Sequence, residues 1–271
     1  MKSKIVRGLV YGCAAITMLV VGFLIVYILV MGIPNLKPSL FAWKYNTDNV
    51  SLMPSLINTL IMTLVSLAIA LPLGVFSAIY LVEYAKKGNR MVKIIRITAE
   101  TLSGIPSIVY GLFGMLFFVT ALGWRISILS GAFTLAIMVL PLVMRTTEEA
   151  LLAVPDSFRE GSFGLGAGKL RTIFAIILPA AVPGIVSGVV LAVGRIIGET
   201  AALIYTAGTV ASIPGKAGLF SSGRTLAVHM YVLSSEGLFV KQAYATAVVL
   251  MFIVIGINAI STQIGKMIAR K

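Results

Sequence analysis

Six long apolar runs decide what this chain can fold into. They occupy residues 8–33, 55–82, 101–122, 126–144, 172–207 and 240–264, and about 20 residues of helix suffice to cross a hydrocarbon core. Backbone groups find no water in lipid, so each run has to close its hydrogen bonds internally as a helix. The expected fold class is an all-α polytopic membrane protein with six transmembrane helices, forming one integral membrane domain over residues 1–271. Composition agrees: 59% of the residues are hydrophobic and 11% charged, too few charges to clothe a soluble domain. The run at 172–207 is too long for one straight span and calls for a kink or a cytoplasmic approach. The first run follows Lys2, Lys4 and Arg7, as a signal peptide would. It is longer than a signal peptide's core and reads as a retained anchor.

The net charge of +13 would suggest nucleic acid in a soluble protein. Its distribution gives a different account. With the N-terminus inside, 15 Lys and Arg fall on the cytoplasmic side and 6 on the outer side, with Arg195 inside a helix. The inner set is Lys2, Lys4, Arg7, Lys86, Lys87, Arg90, Lys93, Arg96, Arg145, Arg159, Lys169, Arg171, Lys266, Arg270 and Lys271. This asymmetry places both termini in the cytoplasm. Anionic membrane lipids then account for the basicity, and no nucleic-acid partner is implied. The single cysteine, Cys13, excludes an internal disulfide, and the single histidine, His229, excludes a multi-histidine metal cluster.

Special chemistry must therefore sit in a loop or inside the bundle. The outer connection 34–54 is polar, with a short interfacial helix expected around "SLFAWKY", and 83–100 reads as a short basic inner loop. Glu83 reads as an interfacial charge. The inner loop 145–171 is long and mixed in charge, whereas 208–239, which carries His229, is rich in Gly and Ser.

Within the long inner loop, "EGSFGLGAGKLRTIFAIILP" looks like a phosphate-cradling sequence. A Walker A loop needs G-x-x-x-x-G-K and then Ser or Thr. Here Gly168-Lys169 is followed by Leu170, and Phe163 stands where the first glycine belongs. A dinucleotide fingerprint fails as well, since Lys169 takes the place of the third glycine. No ATP hydrolysis is expected of this chain. The stretch reads instead as a short cytoplasmic helix, a glycine turn, and a return to the membrane in which Pro179 bends the next span. A helix offered this way suits a groove on another protein.

The spacing from Glu160 through Gly166 to Ile176-x-Leu178-Pro179 resembles the "EAA" loop of ABC importer permeases, with Gly161-Ser162 for the two alanines. In that family the loop forms a coupling helix that docks into a separate ATPase. The resemblance makes Glu160, Gly161, Ser162, Gly166, Leu178 and Pro179 the ATPase-coupling residues. Within the family, "LPLGVFSAIYLVEYA" (71–85), "SGIPSIVYGLFG" (103–114) and "GRIIGETAAL" (194–203) are similar to the PstA-type permease of phosphate importers. That resemblance implies a transport subunit of the bacterial inner membrane, and no enzyme. Its implied partners are a second, PstC-type permease, two copies of a cytoplasmic ATPase and an extracytoplasmic phosphate-binding protein. ATP and magnesium would belong to the ATPase, with no cofactor in this chain.

Physical chemistry singles out some of the same residues. Arg195 lies in an apolar span, where a charge is costly unless it lines a polar path or finds a partner. Its fork matches a tetrahedral oxyanion. Glu199 lies four residues on and would meet it on one helix face, either orienting it within a pathway or locking two helices. Ser103 and Ser107 flank Pro106 in a segment that reads either as a broken, pore-lining helix or as a close helix contact. Chemistry alone leaves sulfate, molybdate and phosphonate open beside phosphate. A membrane-embedded hydrolase would need His or Asp constellations inside the spans. A stand-alone channel would leave the coupling-loop spacing unexplained.

Overall fold

The computed structural model describes residues 2–86 and 88–269. Of the basic residues counted above, Lys87, Arg270 and Lys271 lie outside them. Eleven α-helices follow in order: α1 (Lys2–Gly32), α2 (Met53–Ile79), α3 (Arg90–Ser103), α4 (Ser107–Gly114), α5 (Ile128–Leu152), α6 (Asp156–Gly164), α7 (Lys169–Thr172), α8 (Leu178–Gly198), α9 (Ala201–Thr206), α10 (Leu226–Ser235) and α11 (Val240–Ala269). Single π-helical stretches extend α2 through Tyr84 and α4 through Ala121, and another joins α7 to α8. Five of the resulting helices are long and apolar enough to cross a membrane, and a bent pair brings the number to six.

α5 is the axis of the bundle. It is the most enclosed of the spans, with α2 on one side and α8 on the other. Small residues set these contacts, because only they let helix backbones approach closely in lipid. Gly74 of α2 faces Val143, and Gly184 and Gly188 of α8 face Ala150 and Thr146. The Ser66 hydroxyl donates across the α2–α5 seam to the Ala132 carbonyl (3.0 Å). α11 packs on α8, and the exposed α1 leans on α11, where Tyr27 meets Tyr244 edge-on (ring centroids 5.8 Å) and Gly32 lies against the Tyr244 carbonyl.

The structure corrects several sequence expectations. The run at 101–122 is broken at Gly104–Pro106, where α3 and the α4 segment meet at 101°. Proline donates no backbone bond and biases the residue before it toward extended backbone, so the helix ends at Ser103. The expected basic loop 83–100 is largely α3, an amphipathic helix capped by the Asn89 side chain, which accepts from the Met91 amide (2.9 Å). In the outer connection, the helix expected around "SLFAWKY" is only the 3₁₀ turn Pro38–Phe41. The run at 172–207 is indeed interrupted: α8 stops at Gly198, Glu199 is extended, and α9 starts at Ala201.

Candidate functional site

The segments that follow the two interruptions lie against each other. Gly111 of α4 fits so closely to α9 that a Cβ on it would meet the Ala202 Cα at 2.7 Å. Gly114, one turn on, faces Thr134 of α5 and Thr206 of α9. The segment "SGIPSIVYG" thus combines a helix break with a close helix contact. Each break also satisfies its own loose ends. The Tyr110 hydroxyl donates to the Leu102 carbonyl in the last turn of α3 (2.8 Å). The Glu199 carboxylate accepts from the Ala202 amide in the first turn of α9 (3.1 Å).

This geometry overturns the expected pairing of Arg195 with Glu199. A spacing of four residues puts side chains on one face only while the helix continues, and here it ends between them. Glu199 is occupied as a cap. Arg195, half-buried in the last turn of α8, forms no ion pair among the described residues. The stretches around 103–114 and 194–203 converge on one locus. A positive charge there meets the partial negative end of α8, a favourable but incomplete neutralisation.

Ser103 and Ser107 part company across the break. Ser107 opens α4, half-buried, while Ser103 is exposed and lines a cavity of 490 Å³ with Arg96, Glu100, Arg145, Glu148 and Glu149. Arg96 pairs with Glu148, tying α3 to α5, and Arg145 pairs with Glu149 (3.0 Å). The cavity is thus lined by charges of both signs.

The glycine-rich stretch folds as helix, turn and return. Glu160 and Gly161 are exposed on α6, and Gly166 makes the turn with φ +81°, a conformation that favours glycine. Around them Phe158, Phe163 and Leu165 are exposed, Leu165 at 91%. Ser162 departs from expectation. It is buried, and its hydroxyl bonds Thr172 Oγ1 (2.8 Å), fastening α6 to α7. It belongs to the inner side of the loop. Leu178 packs half-buried against the cluster that includes Ile173, Ile177 and Ala181, and Pro179 stands in the first turn of α8, just after the π-helical turn Ile173–Ile177.

Sequence reasoning also missed Glu83. It is shielded rather than interfacial, at 9% side-chain exposure, and paired with Arg159 of α6. Nor did it find the anchoring of the 208–239 connection on α2. There the Asn58 amide donates to the carbonyls of Ser212 (2.9 Å) and Arg224 (3.2 Å), and Thr59 Oγ1 accepts from the Leu226 amide (2.9 Å). The signal available was a run of small polar residues, Ser55, Asn58, Thr59, Thr63 and Ser66, on one face of an apolar helix.

Comparison with known proteins agrees with this arrangement. The family model for the binding-protein-dependent transport system inner membrane component matches residues 70–271. The chain is 33% identical to the probable ABC transporter permease protein YqgI of Bacillus subtilis, covering 99% of this chain and 97% of that one. It is 42% identical to phosphate transport system permease protein PstA 1 of Mycobacterium tuberculosis, over 59% of this chain and about half (52%) of that protein's length. Its fold is similar to that of a bacterial alginate ABC transporter chain, with a TM-score of 0.66 at 15% identity, covering 96% of each. The chain belongs to the family of binding-protein-dependent transport system inner membrane components, and is a multi-pass membrane transport subunit rather than an enzyme.

Proposed function

We propose that the chain is a permease subunit of an ATP-driven phosphate importer, contributing half of the translocation path. The observation that carries the substrate is similarity to several proteins named phosphate transport system permease protein PstA, at 35–42% identity. The geometry supports it: Arg195 is free of Glu199 and sits where two broken helices meet, the kind of place where irregular backbone and a charge are tolerated because they line a path. In this reading Arg195 receives the anion through paired N–H donors, and Tyr110 holds the break open beside it. Ser107 borders the same locus, while Ser103 faces the charged cavity.

The partners follow from the same reading. α6 presents Phe158, Glu160, Gly161, Phe163 and Leu165 to a cytoplasmic ATPase, which binds ATP and magnesium. A PstC-type permease supplies the other half of the path, two ATPase copies drive the pair, and an outer phosphate-binding protein delivers the anion. Both termini lie in the cytoplasm. The test is uptake of labelled phosphate at limiting concentration, with sulfate in parallel, in cells carrying the intact chain, Arg195→Ala or no chain. Phosphate uptake that needs the chain and fails in assembled Arg195→Ala supports the proposal. Unchanged phosphate uptake without the chain, with sulfate uptake lost, refutes the substrate assignment.

A further inference from the structure

The coupling loop holds the bundle at an unexpected place, the cytoplasmic tip of α2. Arg159 of α6 reaches out of its own helix and spends every donor of its guanidinium. Nε and Nη2 donate to Glu83 Oε1 at 3.1 and 2.7 Å. Nη2 also donates to the Leu151 carbonyl at the end of α5 (3.0 Å). Nη1 donates to the Val154 carbonyl (2.9 Å) and to Asp156 Oδ1 (3.2 Å). One planar group thus joins α2, α5 and α6. The Arg159 and Glu83 side chains are only 16% and 9% exposed, so solvent screens this pair far less than a surface ion pair.

A second contact comes from the other end of the loop. Lys169, which opens α7, places its ammonium over the Tyr84 ring, 4.7 Å from the centroid. Glu83 and Tyr84 are neighbours in the π-helical turn Tyr80–Tyr84 that ends the second span. The two limbs of the loop therefore clasp one turn. Ser162 and Thr172 fasten those limbs to each other, so that α6, α7 and the tip of α2 form one connected unit.

We propose that this clasp is the link by which displacement of α6 is passed to α2, and that the Arg159–Glu83 bond is its essential member. The proposal rests on reading α6 as the ATPase-facing helix. α2 packs along α5, and α5 in turn faces α4 and α9 at the two helix breaks. A pull on the tip of α2 thus acts on the elements around Arg195. Arg159 and Glu83 are positioning residues in this scheme and touch no substrate. Lysine cannot replace Arg159, because a point charge reproduces neither the fork to Glu83 nor the simultaneous carbonyl bonds.

The experiment uses the importer reconstituted in liposomes with its ATPase, second permease and binding protein, carrying Arg159→Lys, Glu83→Gln or both. In a Cys13→Ser background, spin labels at Ser77→Cys on α2 and Ser157→Cys on α6, both exposed positions, report the separation of the two helices. Phosphate uptake and ATP hydrolysis are measured on the same vesicles. With the bond intact, the labels should keep their separation when a non-hydrolysable ATP analogue is added. In either single variant the separation should change with nucleotide, and phosphate moved per ATP should fall about tenfold. The double variant should be no worse than the singles, since both remove one shared interaction. An unchanged separation and an unchanged transport ratio in the single variants would overturn the proposal. So would losses that multiply in the double variant, or loss of the ATPase from the purified complex, which would mark the bond as a staple of the fold. If the unsubstituted complex moves no phosphate while the labels behave as expected, the substrate assignment fails and the link stands.

Discussion

Gly161 and Ser162 stand where the EAA pattern that this stretch resembles has two alanines, and converting each to alanine should have opposite effects. Gly161 lies in the interior of α6, with nothing within 4 Å of the position a Cβ would take. Alanine there keeps every contact and removes the entropic penalty of glycine, strengthening the helix by about 0.5–1 kcal/mol. Ser162 is the reverse case. Thr172 Oγ1 donates its single proton to the Gly168 carbonyl (3.2 Å), so the Ser162 hydroxyl must be the donor in the bond between the two side chains. Alanine at 162 leaves a buried acceptor unfilled at a cost of about 1 kcal/mol. The better helix propensity of alanine offsets about half of that.

Hydrogen exchange of the α6 amides in the purified protein reads both effects, because local opening sets the rate. Gly161→Ala should slow exchange about two- to fivefold, and Ser162→Ala should speed it about twofold. The double substitution should fall between them. Slower exchange in Ser162→Ala would show that its hydroxyl carries no buried bond. Faster exchange in Gly161→Ala would show that the space beside it is filled. Either result would sink the assignment of an inner and an outer face to α6.

Other substitutions test the bundle. Gly111→Ala drives a methyl group into the α9 backbone at Ala202 and should cost about 1–3 kcal/mol, seen as a lower thermal midpoint in detergent, whereas Gly194→Ala meets open space and should not lower it. Tyr110→Phe removes the donor to the Leu102 carbonyl; amide exchange at Gly104 and Ile105 should rise about fivefold, for a loss of about 1 kcal/mol. His229 is enclosed beside Arg224 and the Tyr45 ring, and burial first, then the Arg224 charge, push its pKa down to about 3 from 6.5. The folded state therefore resists a proton that the unfolded chain accepts. The penalty is absent above about pH 7 and grows as pH falls from 6.5 towards 3, reaching about 2 kcal/mol at pH 5. The thermal midpoint should drop between pH 7 and 5, and His229→Gln should flatten that slope; an unchanged slope would remove His229 as its cause.

The long apolar runs made the helices legible, because hydropathy over 20 residues outweighs any local irregularity. The breaks were legible only as alternatives: Pro106 allowed a broken helix and the length of the 172–207 run called for a kink, but hydropathy could not give the 101° turn at Gly104–Pro106. The spacing of Arg195 and Glu199 was legible, but their partnership depended on a helix that ends at Gly198. In the coupling loop the turn at Gly166 followed from residue type. The inward face of Ser162 did not, since a helix as short as Asp156–Gly164 carries too few positions to define a buried stripe. Glu83 and Arg159 are 76 residues apart, and nothing local to either announces the other.

The nearness of the two breaks has a physical cause. A transmembrane helix that stops in mid-course leaves amides and carbonyls without partners, and in hydrocarbon each costs several kcal/mol. Here the chain supplies Tyr110 for a carbonyl of α3 and Glu199 for an amide of α9, and Gly111 lets the segments that follow the two breaks touch. The two segments thus depend on each other: enlarging Gly111 presses directly on Ala201 and Ala202 and should loosen residues 104–106 as well. This mutual dependence also bears on Arg195. A charge at the end of α8 is affordable only where the backbone is already irregular and polar. The features that a plain membrane helix would exclude have therefore gathered at one place, and a path for an anion needs the same combination.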